Sequence, residues 1–180
     1  MDKYMKYFLL TGTTFALVWG LLNLPDIVIL GPFFYLGMVL LGGFLFGVGM
    51  IIWAYFFDFK KIDQLPYKNE YDTNSVRHEK IVDLKMSSEK AFESVKKSIE
   101  HLERGEIENI DPSMGIVEAR ANKTILKSLK NRVTINMRSN GEGTRVRIKS
   151  GPSSPVAIMD SGQNMINVET IKRYLLEMDV

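Results

Sequence analysis

The chain has 180 residues, of which 46% are hydrophobic, and its 23 basic and 21 acidic side chains give a formal net charge of +2 at pH 7. It contains no cysteine, which excludes disulfides, thiolate nucleophiles and cysteine-ligated metal sites. With two histidines it offers little for a histidine cluster either, so we predict no metal and no other cofactor.

The first third of the chain is almost entirely apolar. Residues 7–57 carry a single charge, Asp26, which lies in the turn sequence Asn-Leu-Pro-Asp. Because about 20 apolar helical residues cross a bilayer core, this segment is long enough for two spans, at about 7–24 and 33–57. We therefore predict a two-helix transmembrane hairpin within residues 1–59.

The charges around the hairpin predict its orientation. Lys3 and Lys6 precede the first span, Lys60 and Lys61 follow the second, and no lysine or arginine lies between the spans. By the positive-inside rule both termini face the cytoplasm. Because neither span contains an Asp, Glu, Lys, Arg or His, we expect an anchor and not an ion or proton pathway.

The second span contains Gly43 and Gly47, at the G-x-x-x-G spacing that lets two helix backbones approach closely. We expect these glycines to pack against the first span through Gly12 and Gly20. Association with a second copy, or with another membrane protein, through Gly43 and Gly47 is the alternative that the motif leaves open.

The rest of the chain divides into a linker and one domain. Residues 60–75 mix charges with proline and asparagine and show no sustained period, which is typical of a linker. Residues 76–180 have the composition of one small cytoplasmic domain, whose apolar patterns predict the order β-α-β-β-β-β-α. An α+β fold of two layers, with an antiparallel sheet and both helices on one face, would bury both amphipathic helices.

Local signals predict where the two helices of this domain begin and end. Ser87 or Ser88 is expected to cap the first helix, and Gly105 to stop it. Asp160 is expected to cap a final helix over residues 161–177, with Gln163 completing a reciprocal capping arrangement.

The two strands joined by Asn140 and Gly141, a strong hairpin dipeptide, carry the most informative pattern. Their aliphatic residues alternate with cations, so one face of the sheet is expected to be basic. It is either a solvated surface or a surface for lipid headgroups or an acidic partner, which would offset the repulsion between like charges. No aromatic residue interleaves the cations, which argues against nucleic acid. The candidate anion-binding residues are Arg132, Arg138, Arg145, Arg147 and Lys149.

Residues 123–130 join two strands and alternate lysines with aliphatic side chains. The aliphatic residues either cover the end of the domain core or enter the bilayer interface while the lysines hold headgroups. The candidate membrane-contact loop consists of Lys123, Ile125, Leu126, Lys127, Leu129 and Lys130.

A loop rich in serine and proline leads into the final helix, where Asp160, Gly162, Asn164 and Asn167 form a D-x-G-x-N-x-x-N-V motif. The motif resembles one in small uncharacterised bacterial proteins, often membrane-attached, that end in such a helix. This resemblance implies a bacterial origin and a domain of unknown function, and it implies no particular reaction. Together with the predicted hairpin, it leads us to expect a bacterial inner-membrane protein. Because asparagine is a poor helix former, we expect both asparagines to bond back to the preceding loop, with ligand contact as the alternative.

The sequence offers little support for catalysis. The two histidines, His78 and His101, are not accompanied by a recognisable catalytic pattern, and no phosphate-loop, dinucleotide or zinc-protease motif is present. The element order is also similar to the helix-grip class, which holds apolar ligands between a curved sheet and a long C-terminal helix. We therefore expect a non-catalytic, membrane-anchored binding module with a basic sheet face; a lipid- or ligand-sensing domain with a pocket under the C-terminal helix is the alternative.

Overall fold

The computed structural model describes residues 3–56, 60–121, 131–154, 157 and 162–180. The chain divides into two compact units, Met1–Leu65 and Pro66–Val180, called here the N-terminal unit and the C-terminal unit.

The N-terminal unit contains two helices that are long and apolar enough to cross a membrane, Tyr4–Leu22 and Pro32–Ala54. The predicted spans are therefore helical, with ends that differ by a few residues. The connection is not a simple turn, because it holds a five-residue helix that Gly31 ends with a φ of 77°. The helices are α1 (Lys3–Leu22), α2 (Asp26–Leu30), α3 (Pro32–Ala54) and α4 (Lys60–Asp63).

Helices α1 and α3 pack closely where glycines face each other. A Cβ atom on Gly12 would lie 2.8 Å from the carbonyl oxygen of Gly43 and 3.6 Å from the Cα of Gly47. Gly43 and Gly47 are both buried. The G-x-x-x-G motif is thus occupied within the chain, as expected for packing against the first span.

Aromatic side chains complete this pair of helices. The ring of Phe15 in α1 stacks on Phe46 in α3, with 4.3 Å between the ring centroids. The Tyr35 hydroxyl donates a hydrogen bond to the carbonyl oxygen of Gly20. That carbonyl lies in the last turn of α1, where helical partners run out, so Tyr35 satisfies a polar group that would be costly to bury.

The C-terminal unit is an α+β fold of two layers, as predicted. Its five strands form one antiparallel sheet in the order β1-β5-β4-β3-β2, and both long helices pack on the same face. The elements are β1 (His78–Leu84), α5 (Ser88–Glu100), β2 (Glu106–Asp111), β3 (Ile116–Ala121), β4 (Asn131–Ser139), β5 (Thr144–Pro152) and α6 (Gln163–Met178).

The core lies between the sheet and the two helices, and large side chains fill it. Burying each of them contributes about 1.5–3 kcal/mol. Those with an exposed fraction of at most 1% include Val95, Ile99, Val117, Val133, Ile135, Val146, Ile148, Val168, Ile171 and Leu175.

Helix α5 ends earlier than predicted. Ser87 caps its start by accepting a hydrogen bond from the Lys90 amide, but the helix ends at Glu100 and not at Gly105. Gly105 serves a different purpose, because a Cβ atom there would lie 2.0 Å from the carbonyl oxygen of Ile99. The glycine allows the chain to turn back tightly against the helix and enter β2.

The predicted linker, residues 60–75, is too long. Its second half belongs to the C-terminal unit, where Tyr71 packs against the core. Glu70 forms ion pairs with Lys80 of β1, at 3.1 Å, and with Lys172 of α6, at 3.3 Å. Hydrogen bonds from these lysines lower the pKa of Glu70. The charged composition looked like a solvated linker because its ionic partners are distant in sequence.

Replacing Gly43 with valine should destabilise the N-terminal unit by roughly 1–3 kcal/mol, because the new side chain would collide with α1. The measurement is thermal unfolding of the full chain in mild detergent, followed by the fluorescence of Trp19 and Trp53, which both lie in this hairpin. Gly37→Val is the matched control, since nothing lies within 4 Å of a Cβ there. Equal unfolding midpoints for the two variants would contradict the packing.

Candidate functional site

The candidate site is the outer face of the sheet, opposite the helices. Strand β5 alternates buried and exposed residues from Thr144 to Ser150, because every second side chain points away from the core. Strands β4 and β5 pair so that Arg138 lies opposite Arg145 and Arg132 lies opposite Gly151. All five cations predicted from the hairpin pattern are exposed on this face: Arg132, Arg138, Arg145, Arg147 and Lys149.

Strand β1 places carboxylates beside three of these cations. Asp83 lies opposite Arg145 and accepts two hydrogen bonds from its guanidinium, at 2.7 and 3.2 Å. Glu79 contacts both Arg147, at 3.2 Å, and Lys149, at 2.9 Å. The hydrogen bonds from Arg145 lower the pKa of Asp83, so this carboxylate stays ionised at neutral pH. The repulsion expected along β5 is therefore largely neutralised by its neighbour.

The acidic strand could not be assigned to this face from the sequence. Glu79 and Asp83 are at alternating positions, as they must be to share a face, but periodicity does not say which strand lies beside β5. An arginine was also missed. Arg77 precedes β1, and its side chain lies against Gly151, where a Cβ atom would come within 2.8 Å of the Arg77 Cγ.

The outer cations therefore fall into two groups. Arg120 belongs with the neutralised ones, since Glu108 of the edge strand lies 2.5 Å from its Nε. Within the described residues, Arg77, Arg132 and Arg138 form no ion pair. Arg77 and Arg132 lie at one end of the face and Arg138 at the other.

Two open cavities lie on this face. The first has a volume of about 440 Å³ and includes Arg77, Arg132 and Lys149 in its lining. The second has a volume of about 520 Å³ and is lined by Arg138, Arg145, Arg147 and Lys149 together with polar side chains of the hairpin turn.

The asparagines of the C-terminal motif lie in a buried polar network. Asn164 and Asn167 are each 1% exposed and Ser150 is 2% exposed. The Ser150 hydroxyl donates to Asn164 Oδ1 at 2.7 Å and accepts from Asn167 Nδ2 at 3.2 Å. Asn164 Nδ2 also donates to the carbonyl oxygen of Val76, at 3.0 Å. The network joins β5, the start of β1 and α6, so these side chains are engaged within the protein.

The start of α6 differs from the prediction. Its N-cap is Gly162, whose φ of 83° is readily adopted only by glycine. Gln163 bonds to Asn167 Oδ1 at 3.1 Å. The predicted cap, Asp160, lies outside the described residues.

The candidate membrane-contact loop also lies outside the described residues. This applies to all six of its residues: Lys123, Ile125, Leu126, Lys127, Leu129 and Lys130.

Of the two histidines, His78 is a buried residue beside the first cavity, and His101 lies at the end of α5. His78 is 6% exposed and packs edge-on against Tyr71, with 5.4 Å between ring centroids. Burial lowers the pKa of His78, which favours the neutral imidazole at pH 7. His101 contacts the ring of Tyr174 at 4.7 Å. In the described part of the chain, His, Asp and Glu side chains form no group of three that could hold a metal ion.

No family model and no curated protein matches this chain. Among solved structures it is similar to Ara h 8.0201, with 10% identity over 56% of this chain and 97% of that chain and a TM-score of 0.38. It is also similar to an uncharacterised protein from Bacillus thuringiensis, with 11% identity over 57% of this chain and 94% of that chain and a TM-score of 0.39. A protein from Mesorhizobium loti gives 12% identity over 58% of this chain and 99% of that chain, with a TM-score of 0.39. These similarities bear on no activity, and the fold assignment rests on the sheet topology and helix packing described above.

Replacing Asn164 with alanine should destabilise the C-terminal unit by roughly 1–3 kcal/mol, because the Ser150 hydroxyl and the Val76 carbonyl would lose a buried partner. Calorimetric unfolding of the full chain measures the effect. Asn109→Ala is the control, since that amide makes only an exposed contact with Glu118, at 3.4 Å. If the two variants unfold at the same temperature, the network does not hold α6 in place.

Proposed function

We propose that this chain is a non-catalytic binding module anchored in a bacterial inner membrane, with both termini cytoplasmic. The N-terminal unit is the anchor, and the outer face of the sheet binds anionic groups, in the first place those of lipid headgroups. The observation that carries the proposal is the set of three exposed arginines, Arg77, Arg132 and Arg138, that have no carboxylate partner among the described residues.

The surface of the N-terminal unit supports the anchoring role. Only 11% of the residues in each apolar window are buried, whereas the core helix of a soluble protein would be mostly covered. Phe33 is 91% exposed and Val28 is 86% exposed. In water each Å² of such surface costs about 25 cal/mol, so a bilayer is the favourable surrounding. The lysines at the outer ends of the hairpin support cytoplasmic termini.

Lipid is the favoured partner because only a short segment of chain separates the proposed membrane anchor from the C-terminal unit, so anionic headgroups would be the nearest anions. Helix α3 ends at Ala54 and the C-terminal unit begins at Pro66, so the tether is short. Each exposed cation near an anionic bilayer contributes about 1 kcal/mol of attraction. Cations already paired with Glu79 or Asp83 contribute less, because a second anion must compete with the first.

The alternative, a ligand pocket between the sheet and the C-terminal helix, is not proposed. Side chains of both layers meet there, including Ile148 of β5 and Ile171 of α6, which are fully buried. A ligand would have to displace this packing.

Replacing both Arg132 and Arg138 with glutamine should reduce the retention of anionic lipid. The full chain is purified in mild detergent with a mixture of phosphatidylglycerol and phosphatidylcholine, and the retained lipid is quantified at low and high salt. Wild type is expected to enrich phosphatidylglycerol at low salt and to lose most of the enrichment at high salt, since exposed charges are screened.

The control removes the same charge from the other layer, as Lys90→Gln with Lys97→Gln, two exposed lysines of α5. It should retain lipid like wild type. Equal enrichment by all three proteins would contradict a role for the outer face.

Replacing Asp83 with asparagine should increase the same enrichment. The substitution releases the Arg145 guanidinium from its two hydrogen bonds, so that a headgroup can bind it. Glu93→Gln is the control, because it releases Lys96, its partner at 2.7 Å, on the helical layer. A loss of enrichment in Asp83→Asn, or an equal gain in both variants, would be inconsistent with anion binding at the outer face.

A further inference from the structure

One end of the outer face has an unusual arrangement, in which a residue without a side chain lies between two arginines. In the β4–β5 ladder Gly151 lies directly opposite Arg132. On the other side of β5, His78 of β1 pairs with Ser150. Arg77, the residue before His78, therefore lies beside Gly151, and its side chain covers that glycine. Any larger residue at 151 would displace the Arg77 stem, so glycine makes room for the Arg77 side chain beside Arg132.

Gly151 and both arginines line the 440 Å³ groove. Lys149 and Thr134 line it from the same side of the sheet, and Glu79 is the only acidic residue among the described residues of its lining. That carboxylate already contacts Lys149 at 2.9 Å and Arg147 at 3.2 Å. Among the described residues, Arg77 and Arg132 therefore line the groove without a carboxylate partner of their own.

The second cavity on the face is less suited to an anion, although it is larger. Two of its arginines are engaged by carboxylates of β1, Arg145 by Asp83 and Arg147 by Glu79. Arg138 is the one arginine of its lining that forms no ion pair among the described residues. The unneutralised positive charge is therefore concentrated in the groove over Gly151.

The chemistry of the lining indicates the class of ligand. A guanidinium presents parallel N–H donors that match two oxygens of a phosphate, and two guanidiniums complement a group with two negative charges. The Thr134 hydroxyl adds a neutral donor. A phosphodiester offers one negative charge, whereas a phosphate monoester offers nearly two at neutral pH. A volume of 440 Å³ lies in the range of small-molecule sites and leaves room for the group that the phosphate carries.

We propose that the groove over Gly151 is a binding site for a phosphate monoester, held by Arg77 and Arg132. The inference rests on the proposed anion-binding role of the outer face and narrows it to one end of that face and one class of ligand. The monoester is either the headgroup of a lipid, as in phosphatidic acid, or a soluble compound. Both present the same terminal phosphate to the two arginines.

The test uses the full chain in mild detergent and measures dissociation constants for three probes. These are phosphatidic acid, which is a monoester lipid, phosphatidylglycerol, which is a diester lipid, and soluble glycerol 3-phosphate. We expect at least one monoester probe to bind about tenfold more tightly than phosphatidylglycerol. Arg77→Gln and Arg132→Gln should each weaken monoester binding about tenfold or more, because each removes a charge-assisted hydrogen-bonding group.

Three further variants make the result specific. Arg138→Gln, at the other end of the face, should weaken monoester binding much less than Arg132→Gln does, and the double variant Lys90→Gln with Lys97→Gln should leave it unchanged. Arg77→Lys with Arg132→Lys keeps the charge but loses the paired donors, so it should give an intermediate loss. Unfolding temperatures equal to that of wild type show that a loss of binding is not a loss of fold.

The outcomes separate this inference from the proposed function. If Arg138→Gln weakens monoester binding as much as Arg132→Gln, or if phosphatidylglycerol binds as tightly as both monoesters, the groove site is wrong and the anionic face stands. If wild type binds none of the three probes, both fail. Tight binding of phosphatidic acid alone supports a lipid ligand, and tight binding of glycerol 3-phosphate supports a soluble one.

Discussion

The C-terminal unit depends on the pairing of β1 with β5, two strands that are far apart in the sequence. This ladder sets the strand order of the sheet. On the inner face it aligns Val82 with Val146 and so continues the apolar layer that receives the helices. On the outer face it sets Asp83 beside Arg145. One set of backbone hydrogen bonds thus determines both the core packing and the distribution of charge at the surface.

The same pairing concentrates the basic character of the face. Without β1, the cations of β4 and β5 would form a broad basic surface. The carboxylates of Glu79 and Asp83 pair with the cations of β5 and leave Arg77 and Arg132 at one end of the face and Arg138, on β4, at the other. When some cations of a basic surface are paired with carboxylates, the positive potential is confined to the cations that remain unpaired. An anion is then attracted to those positions and not to the whole surface.

Much of the architecture is predictable from periodicity and turn chemistry. The apolar run predicts the hairpin of α1 and α3, and the Asn140–Gly141 turn and the alternation around it predict β4 and β5. Contacts between segments distant in sequence are not predictable in this way. Strand order or tertiary packing determines three such contacts: the carboxylates beside β5, the Arg77 side chain over Gly151, and the ion pairs of Glu70 with Lys80 and Lys172. Periodicity gives the face on which a side chain lies but not its neighbour on that face.

Under the proposed function, the contact between Glu70 and its two lysines affects how tightly the outer face would have to bind. By joining Glu70 to β1 and α6, it shortens the segment that links Ala54 to the folded C-terminal unit. A tethered binding event has an effective concentration, in the millimolar range for short flexible tethers, that falls as the tether lengthens. In a membrane-anchored chain, headgroup contacts too weak to measure between separate molecules would then be occupied most of the time. Breaking the ion pairs of Glu70 would lengthen the tether and so lower the fraction of time that headgroups are bound, although every residue of the outer face would be unchanged.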